Sequence, residues 1–499
     1  VGDSAYPRTM VASAKDLSGW FPNETIVILS SDVRQLGLQN LAGANAEDTR
    51  HWTDDGAALF GEHLPYGFGL YNPSIALAPS ADHLVVVLRA SNWHYCPHSG
   101  WDGNWSHVPH HDAQDHQLNR LVVALVRVSD WQVIEAMPLD FPYEQYRARF
   151  QQVQGGTVLS ERSIEGLEDA RIYRTAGGRF WLMFSFRTIF VAPLHLRLCS
   201  ITREAGCTSV AAVDASSVVE FTPEALVGRS YREMAAFKNF NVIRFLDESS
   251  ALVEFSVNPR VVLHLDLAAG LWYQVYETQI PQLPVFMESD FFYRGGYCCV
   301  GPVRWHGVEI RLGVAHIKFN RYVFLHRLYA VRTTAPYDIV GITPKFCLRF
   351  AGAASSHWHV SLGAGCESLQ FASGLVVLKP DTLLIAAGVN DCEAAVASLS
   401  LSTLLQLIEP VSASVTWRRP PASPRPSGLL GMSEDDPDKR GTAGLALPEL
   451  SQLEKALRGL VLLASAHASS QDGALVLRWL RLFAAAAARP CPGVGLAPP

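Results

Sequence analysis

One local pattern recurs five times along this chain and constrains its fold more than any other feature. A polar residue opens a short apolar strand, a tight turn follows, and a second apolar strand ends on another polar residue. The copies are "YNPSIALAPSADHLVVVLR" from Tyr71, "EDARIYRTAGGRFWLMFSFR" from Glu168, "KNFNVIRFLDESSALVEFSVN" from Lys238, "RGGYCCVGPVRWHGVEIRLGVAHIK" from Arg294 and "SGLVVLKPDTLLIAAGVND" from Ser373. Radial repetition of such a hairpin is the sequence signature of a β-propeller. Ring closure would bring the polar residues of all copies to one axis, where their types can be read as chemistry.

Further strand candidates fall between the copies: "RLVVALVRV" from Arg120, "LHLRLCSI" from Leu194, "RVVLHLDL" from Arg260 and "NRYVFLHRLYAVR" from Asn320. Val, Ile, Leu, Phe and Tyr cluster in short runs bounded by Gly, Asp, Asn and Ser. Helical periodicity is nearly absent here, which argues against βαβ units. The expected fold is all-β: a five-bladed β-propeller over residues 61–410, with four strands per blade. Residues 1–60 hold one strand candidate, "ETIVILS" from Glu24, placed to complete the last blade and close the ring. Residues 411–446 contain "RRPPASPRPSG" and "SEDDPDKRG" and read as a flexible Pro-rich linker. In residues 447–499, Leu450, Leu453, Leu457, Leu460 and Ala464 recur at helical spacing, and "ALVLRWLRLFAAAAA" follows from Ala474. This segment reads as a helical hairpin or a truncated domain.

The 41 basic and 47 acidic residues give a net charge of -6, and the basic ones are scattered, so no electrostatic case exists for a nucleic-acid partner. No apolar run is long enough to span a bilayer. The chain opens at Val1 without a signal-like segment, and is expected to be a fragment or processed form. Nine cysteines with no CxxC pair indicate no disulfide framework, and point to a reduced compartment such as the cytoplasm. The sequons at Asn23 and Asn104 keep a Golgi or secreted location open.

Chemistry concentrates where the hairpin copies begin and end. Glu168-Asp169-Ala170-Arg171 sets two carboxylates and an arginine at the start of an inner strand. Sugar-cleaving sites need a carboxyl group poised as proton donor; an ion pair knitting two blades together is the structural alternative. Lys238-Asn239 and Arg294 hold the same place in later copies. Gly295 and Gly296 would let backbone approach a ligand. His316 and Lys318 close the fourth copy, Asn390, Asp391 and Glu393 the fifth, and Arg89 the first, which Asn72 opens. Arg and Lys suit an anion such as phosphate, and carboxylates suit sugar hydroxyls and proton transfer. The stretch His107 to His116, with His110, His111, Asp112 and Asp115, has ligand types that suit zinc but no regular spacing, and reads as a solvated loop. Trp93, Tyr95, Trp101 and Trp105 beside it could stack on sugar rings or pack that loop. Cys298-Cys299 reads as buried packing rather than a redox pair.

These motifs resemble a known group. "GLEDARIY" is similar to the Gly-x-Glu-Asp-Pro-Arg signature of glycoside hydrolase family 130, the β-mannoside phosphorylases and β-mannosidases. "YNPSIAL", "KNFNVI", "AHIKFNRYVFLHRLYAV" and "FASGLVVL…LLIAAGVNDCEA" resemble its other blade motifs. The last is closest to the branch of β-1,2-mannan mannosyltransferase/phosphorylases, glycosyltransferase family 108. The similarity spans roughly residues 66–408, and Ala170 stands where the signature has proline. The resemblance implies a five-bladed propeller with an axial active site. Asp169 would be the proton donor, and phosphate, or water in the hydrolases, would attack the anomeric carbon with inversion.

The phosphate-holding set implied by position is Arg89, Lys238, Arg294, His316 and Lys318. The sugar-binding set is Asn72, Glu168, Arg171, Asn239, Asn390, Asp391 and Glu393. The partner is an oligosaccharide or sugar 1-phosphate; no metal or cofactor is required beyond inorganic phosphate as co-substrate. The competing readings are a non-catalytic glycan-binding propeller, an inverting β-mannosidase without phosphate, and an arabinanase- or invertase-like hydrolase with a separate carboxylate facing Asp169.

Overall fold

The computed structural model describes residues 10–14, 26–30, 32–35, 69–91, 116–143, 145, 163–186, 188–202, 206–221, 226–227, 239–281, 283, 293–319, 323–349, 369–378, 380–389, 391 and 393–418. The recurring hairpin forms the two inner strands of each of five sheets. Blade 1 runs from the axis outward as Gly69–Leu77, His83–Ser91, His116–Arg127 and Val133–Pro138. Blade 2 is Glu168–Arg174, Phe180–Phe186, Thr188–Arg197 and Val210–Ala212. Blade 3 is Asn241–Phe245, Ser250–Val257, Arg260–Asp266 and Leu271–Gln279. Blade 4 is Tyr293–Trp305, Val308–Phe319 and Val323–Arg332, edged by Ile339–Ile342 and Phe346–Arg349. Blade 5 is Gln370–Leu378, Thr382–Val389, Glu393–Ser400 and, from far upstream, Asp32–Gln35.

The second strands read as largely apolar runs because a neighbouring blade covers each face. In His83–Ser91 every residue after the first is buried. A polar bond or an aromatic contact crosses each seam of the ring. The Ile172 N–H of blade 2 donates to Ser74 Oγ of blade 1 at 3.0 Å. Trp181 packs on Phe245 of blade 3 with centroids 5.2 Å apart. Tyr329 of blade 4 donates to Glu254 of blade 3 at 2.7 Å. The Ala372 N–H of blade 5 donates to His326 Nε2 of blade 4 at 3.2 Å. Ser373 Oγ of blade 5 donates to the Pro73 carbonyl of blade 1 at 2.7 Å, closing the circle. Five blades make a narrow ring, and blades 2 and 4 also touch across its axis. Tyr297 Oη donates to the Ile172 carbonyl at 2.6 Å, and the rings of Tyr173 and Tyr297 stack at 5.2 Å.

Several expectations change. The early strand Ile26–Ser30 lies on blade 4, parallel to Phe346–Arg349 and antiparallel to Met10–Ala14. The strand that completes blade 5 is the next one, Asp32–Gln35, paired with Glu393–Ser400. Ser414–Arg418, inside the segment read as linker, forms a strand on the outer edge of blade 3. The end of "LHLRLCSI" turns into a short helix, Cys199–Thr202. Among the described residues cysteines are paired: Cys199 bonds Cys207, and Cys298 bonds Cys299 within the buried core. Cys347 is disulfide-bonded as well. The cysteine argument for a reduced compartment therefore falls. The chain divides after Pro420, and the second unit, Pro421–Pro499, lies outside the described residues, with the helical hairpin expected there. Among the described residues no helix is long and apolar enough to cross a membrane.

Candidate functional site

The site begins as a backbone irregularity repeated around the ring. Where the inner strands of blades 1, 2, 4 and 5 begin, the hairpin register slips at Asn72-Pro73, opposite Met183/Ser185, at Gly296 and at Ser373. In blade 3 the slip falls later, between Val242 and Arg244. A bulge bends its strand and re-aims a side chain. Asn72, Asp169, Asn239 and Asp391 have φ of +51°, +48°, +69° and +44°, half of the eight left-handed non-glycine residues among those described. Asn and Asp tolerate this conformation best, and held strain of this kind gathers at functional sites.

The bulges bring carboxylates, amides and a guanidinium together. Asn72 Nδ2 donates to Asp169 Oδ1 at 3.0 Å. Arg89 Nη1 lies 3.4 Å from Asp169 Oδ1, and its Nη2 lies 3.5 Å from Glu168 Oε1. The three side chains are only 7%, 10% and 9% exposed. Tyr71, directly opposite Arg89 in the hairpin, lies with its ring 5.2 Å from the guanidinium. Burial works against the charge of Arg89, yet Tyr71, Glu168, Asp169 and Asp391 together hold its proton affinity above the ordinary arginine range. Burial raises the Tyr71 hydroxyl above its usual range; Arg89 opposes this, and Asp391 and Asp169 add to it. Asp391 of blade 5 is thus electrostatically part of the cluster.

Tyr71 and Asn119 belong to this site and escape a sequence reading. Asn119 opposes Ser91, so it shares a sheet face with Arg89 one step along the diagonal. Its Oδ1 accepts from Arg89 Nε at 2.8 Å. In sequence, Tyr71 adjoins Asn72 at a strand start, which is a usable signal; Asn119 is one polar residue at the head of an apolar run, which is none.

The other expected residues divide. Arg171 is 1% exposed and points across the axis, donating from Nε to the Gly296 carbonyl at 2.7 Å and from Nη1 to the Asp169 carbonyl at 2.9 Å. Its guanidinium lies 5.2 Å from the Phe371 ring. Burial lowers its proton affinity, with Asp169 opposing. Its visible partners are backbone and ring rather than open space, so it ties blades 2 and 4 together. Gly295 and Gly296 also serve packing. A Cβ at Gly295 would sit 2.2 Å from Asn241 Nδ2, and one at Gly296 would sit 2.2 Å from the Ala372 carbonyl. The space expected for a ligand is taken by blades 3 and 5.

His316 is 2% exposed, between the rings of Phe324 and Phe371 at 5.4 and 5.0 Å, and backbone-paired with Arg294. Arg294 itself is half-buried, which lowers its proton affinity. Asn239 and Glu393 are partly buried at the starts of their blades' strands. Lys238, Asn390 and the side chain of Lys318 lie outside the described residues, as do the loop from His107 to Asp115 and the aromatics Trp93, Tyr95, Trp101 and Trp105.

Below Asn239 lies a buried ion pair that sequence reading missed. Arg260 Nη1 contacts Glu254 Oε2, and Glu254 Oε1 accepts from Asn241 Nδ2 at 3.0 Å and from Tyr329 at 2.7 Å. Both charges are 1% exposed, so their contact with each other is what makes them tolerable there.

Fold and site define the class: a five-bladed β-propeller that gathers acids, amides and a guanidinium where its inner strands begin. No family model matches the chain, and no curated protein matches its sequence. Solved structures similar to it include a glycosyl hydrolase from Bacteroides ovatus, at 12% identity and TM-score 0.39 over 70% of this chain and 87% of that one. A β-1,2-mannobiose phosphorylase from Listeria innocua, bound to β-1,2-mannobiose, is 14% identical with TM-score 0.40, over 68% and 91%. A mannose phosphorylase from Leishmania mexicana, in complex with a phosphate ion, is 9% identical with TM-score 0.31, over 69% and 87%.

Proposed function

We propose that the chain is a carbohydrate-active enzyme that transfers a mannosyl unit between a β-mannoside and phosphate, as an inverting phosphorylase or a mannosyltransferase using the same pocket. The observation that carries this reading is Asp169. It is a carboxylate on a left-handed bulge, bonded by Asn72 and faced by Arg89 and Glu168. In phosphorolysis Asp169 gives its proton to the departing glycosidic oxygen. A phosphate oxygen forms the new bond to the anomeric carbon as the glycosidic bond breaks, releasing mannose 1-phosphate and the shortened sugar. In synthesis the same carboxylate takes the proton of the acceptor hydroxyl. Asn72, Asn239 and Asp391 bind sugar hydroxyls. Arg89 is committed to the carboxylates, which leaves phosphate to Arg294 with Lys238 and Lys318.

Mannose 1-phosphate with mannose or mannobiose as acceptor tests this through phosphate release. Asp169→Asn is expected to lower turnover by about 10²–10⁴-fold, the usual contribution of a general acid, with an unchanged melting temperature. Undiminished turnover refutes the role. A wild-type chain that binds mannosides without turnover is a glycan-binding module, and cleavage indifferent to phosphate makes it a β-mannosidase.

A further inference from the structure

We propose that Asn119 is a positioning residue for proton transfer at Asp169, acting through Arg89; this rests on the reading of Asp169 given above. Asn119 is fully buried, and its Oδ1 accepts from Arg89 Nε. With that edge held, the two Nη groups are turned to Asp169 and Glu168. The main chain of Asn119 also fixes the backbone just ahead of the acidic strand. Asn119 pairs in parallel register with Gly166, the residue from which the chain runs through Leu167 into Glu168. A Cβ at Gly166 would lie 1.9 Å from the Asn119 carbonyl oxygen, and Gly166 has φ of +102°, so only glycine fits. One residue thus sets both the guanidinium and the start of the acidic strand.

Packing does not account for the amide. Asn119 Nδ2 is buried without a hydrogen-bond partner among the described residues, an arrangement that disfavours the fold. An apolar side chain of similar size would avoid the stranded donor and would also lose the grip on Arg89.

The experiment compares Asn119→Leu, which fills the space but cannot accept, with Asn119→Asp, which keeps the acceptor. Melting temperatures establish that each variant is folded. Phosphate release from mannose 1-phosphate gives kcat and KM, and the NMR signal of the Arg89 Nε–H reports the clamp directly. Leu is expected to lower kcat by about tenfold to a hundredfold with little change in KM, the scale of a misplaced reacting group. It should also shift the Arg89 signal, and Asp should recover most of both. Wild-type kcat in the Leu variant, or an Asp variant as slow as Leu, overturns the proposal. If the wild-type chain turns over none of the sugar phosphates, the reading of Asp169 fails; the clamp is then judged by the signal, and an unmoved Arg89 resonance in the Leu variant ends it too.

Discussion

Asp169 holds a backbone conformation that most residues avoid, and the groups that keep it there come from three blades. Asn72 bonds its carboxylate, and Asn72 is in turn pressed against blade 5, where a Cβ at Gly388 would lie 2.1 Å from Asn72 Oδ1 and 2.8 Å from its backbone nitrogen. Gly388→Ala therefore displaces Asn72 without removing any polar group. The expected outcome is a loss of turnover of about tenfold to a hundredfold, with a stability loss of about 1–3 kcal/mol from overpacking. Kinetics and denaturant unfolding check both, and wild-type kcat would show that the bond from Asn72 to Asp169 is dispensable. Asn72, Glu168, Asp169 and Arg89 could be picked from the sequence because each begins or ends a hairpin copy. Gly388 and Asn119 could not, since a clash and a diagonal neighbour exist only between strands already paired.

At the scale of the element, the seam between blades 4 and 5 carries a pH dependence. Burial holds the His326 imidazole down to about 3, opposed by its bond at the Gln370 backbone. Its Nε2 is the acceptor for the Ala372 N–H, so a second ring proton would break that bond. An unfolded histidine titrates near 6.5. Between about 6.5 and about 3 the unfolded chain binds one more proton at this site than the folded one, so stability falls as pH falls through that window. Above it the contribution is fully present. The slope expected from this one group is about 1.4 kcal/mol per pH unit. Urea unfolding of wild type and His326→Gln between pH 4 and 7 measures it; equal slopes in the two proteins would remove His326 as the cause.

The inner hairpins are the elements the sequence announces most clearly, because their second strands are largely buried on both faces and their runs are mostly apolar. Asp32–Gln35 announces nothing. It is an edge strand of four residues, half of them charged, and it gains its role from a partner near the other end of the ring.

At the scale of the whole molecule, that strand is what finishes blade 5. Without it Glu393–Ser400 becomes an exposed edge, directly after Asp391 of the site. Removing residues 1–35 is expected to lower the melting temperature and to speed amide exchange through Glu393–Ser400, while Ser250–Val257, interior to blade 3, exchanges as before. Exchange that quickens equally in both strands would mean the strand stabilises the ring as one body rather than blade 5. The sequence by itself determined the repeat, the number of blades and the acid at the head of the second blade, because these depend on patterns a few residues long. Only the tertiary structure decided that Arg171 spans the axis, that two glycines make room for neighbouring blades and that Asn119 grips Arg89. The reason is geometric: a ring of five sheets sets residues face to face that lie as much as three hundred positions apart, as Ser373 and Pro73 do, and no local pattern encodes such a contact.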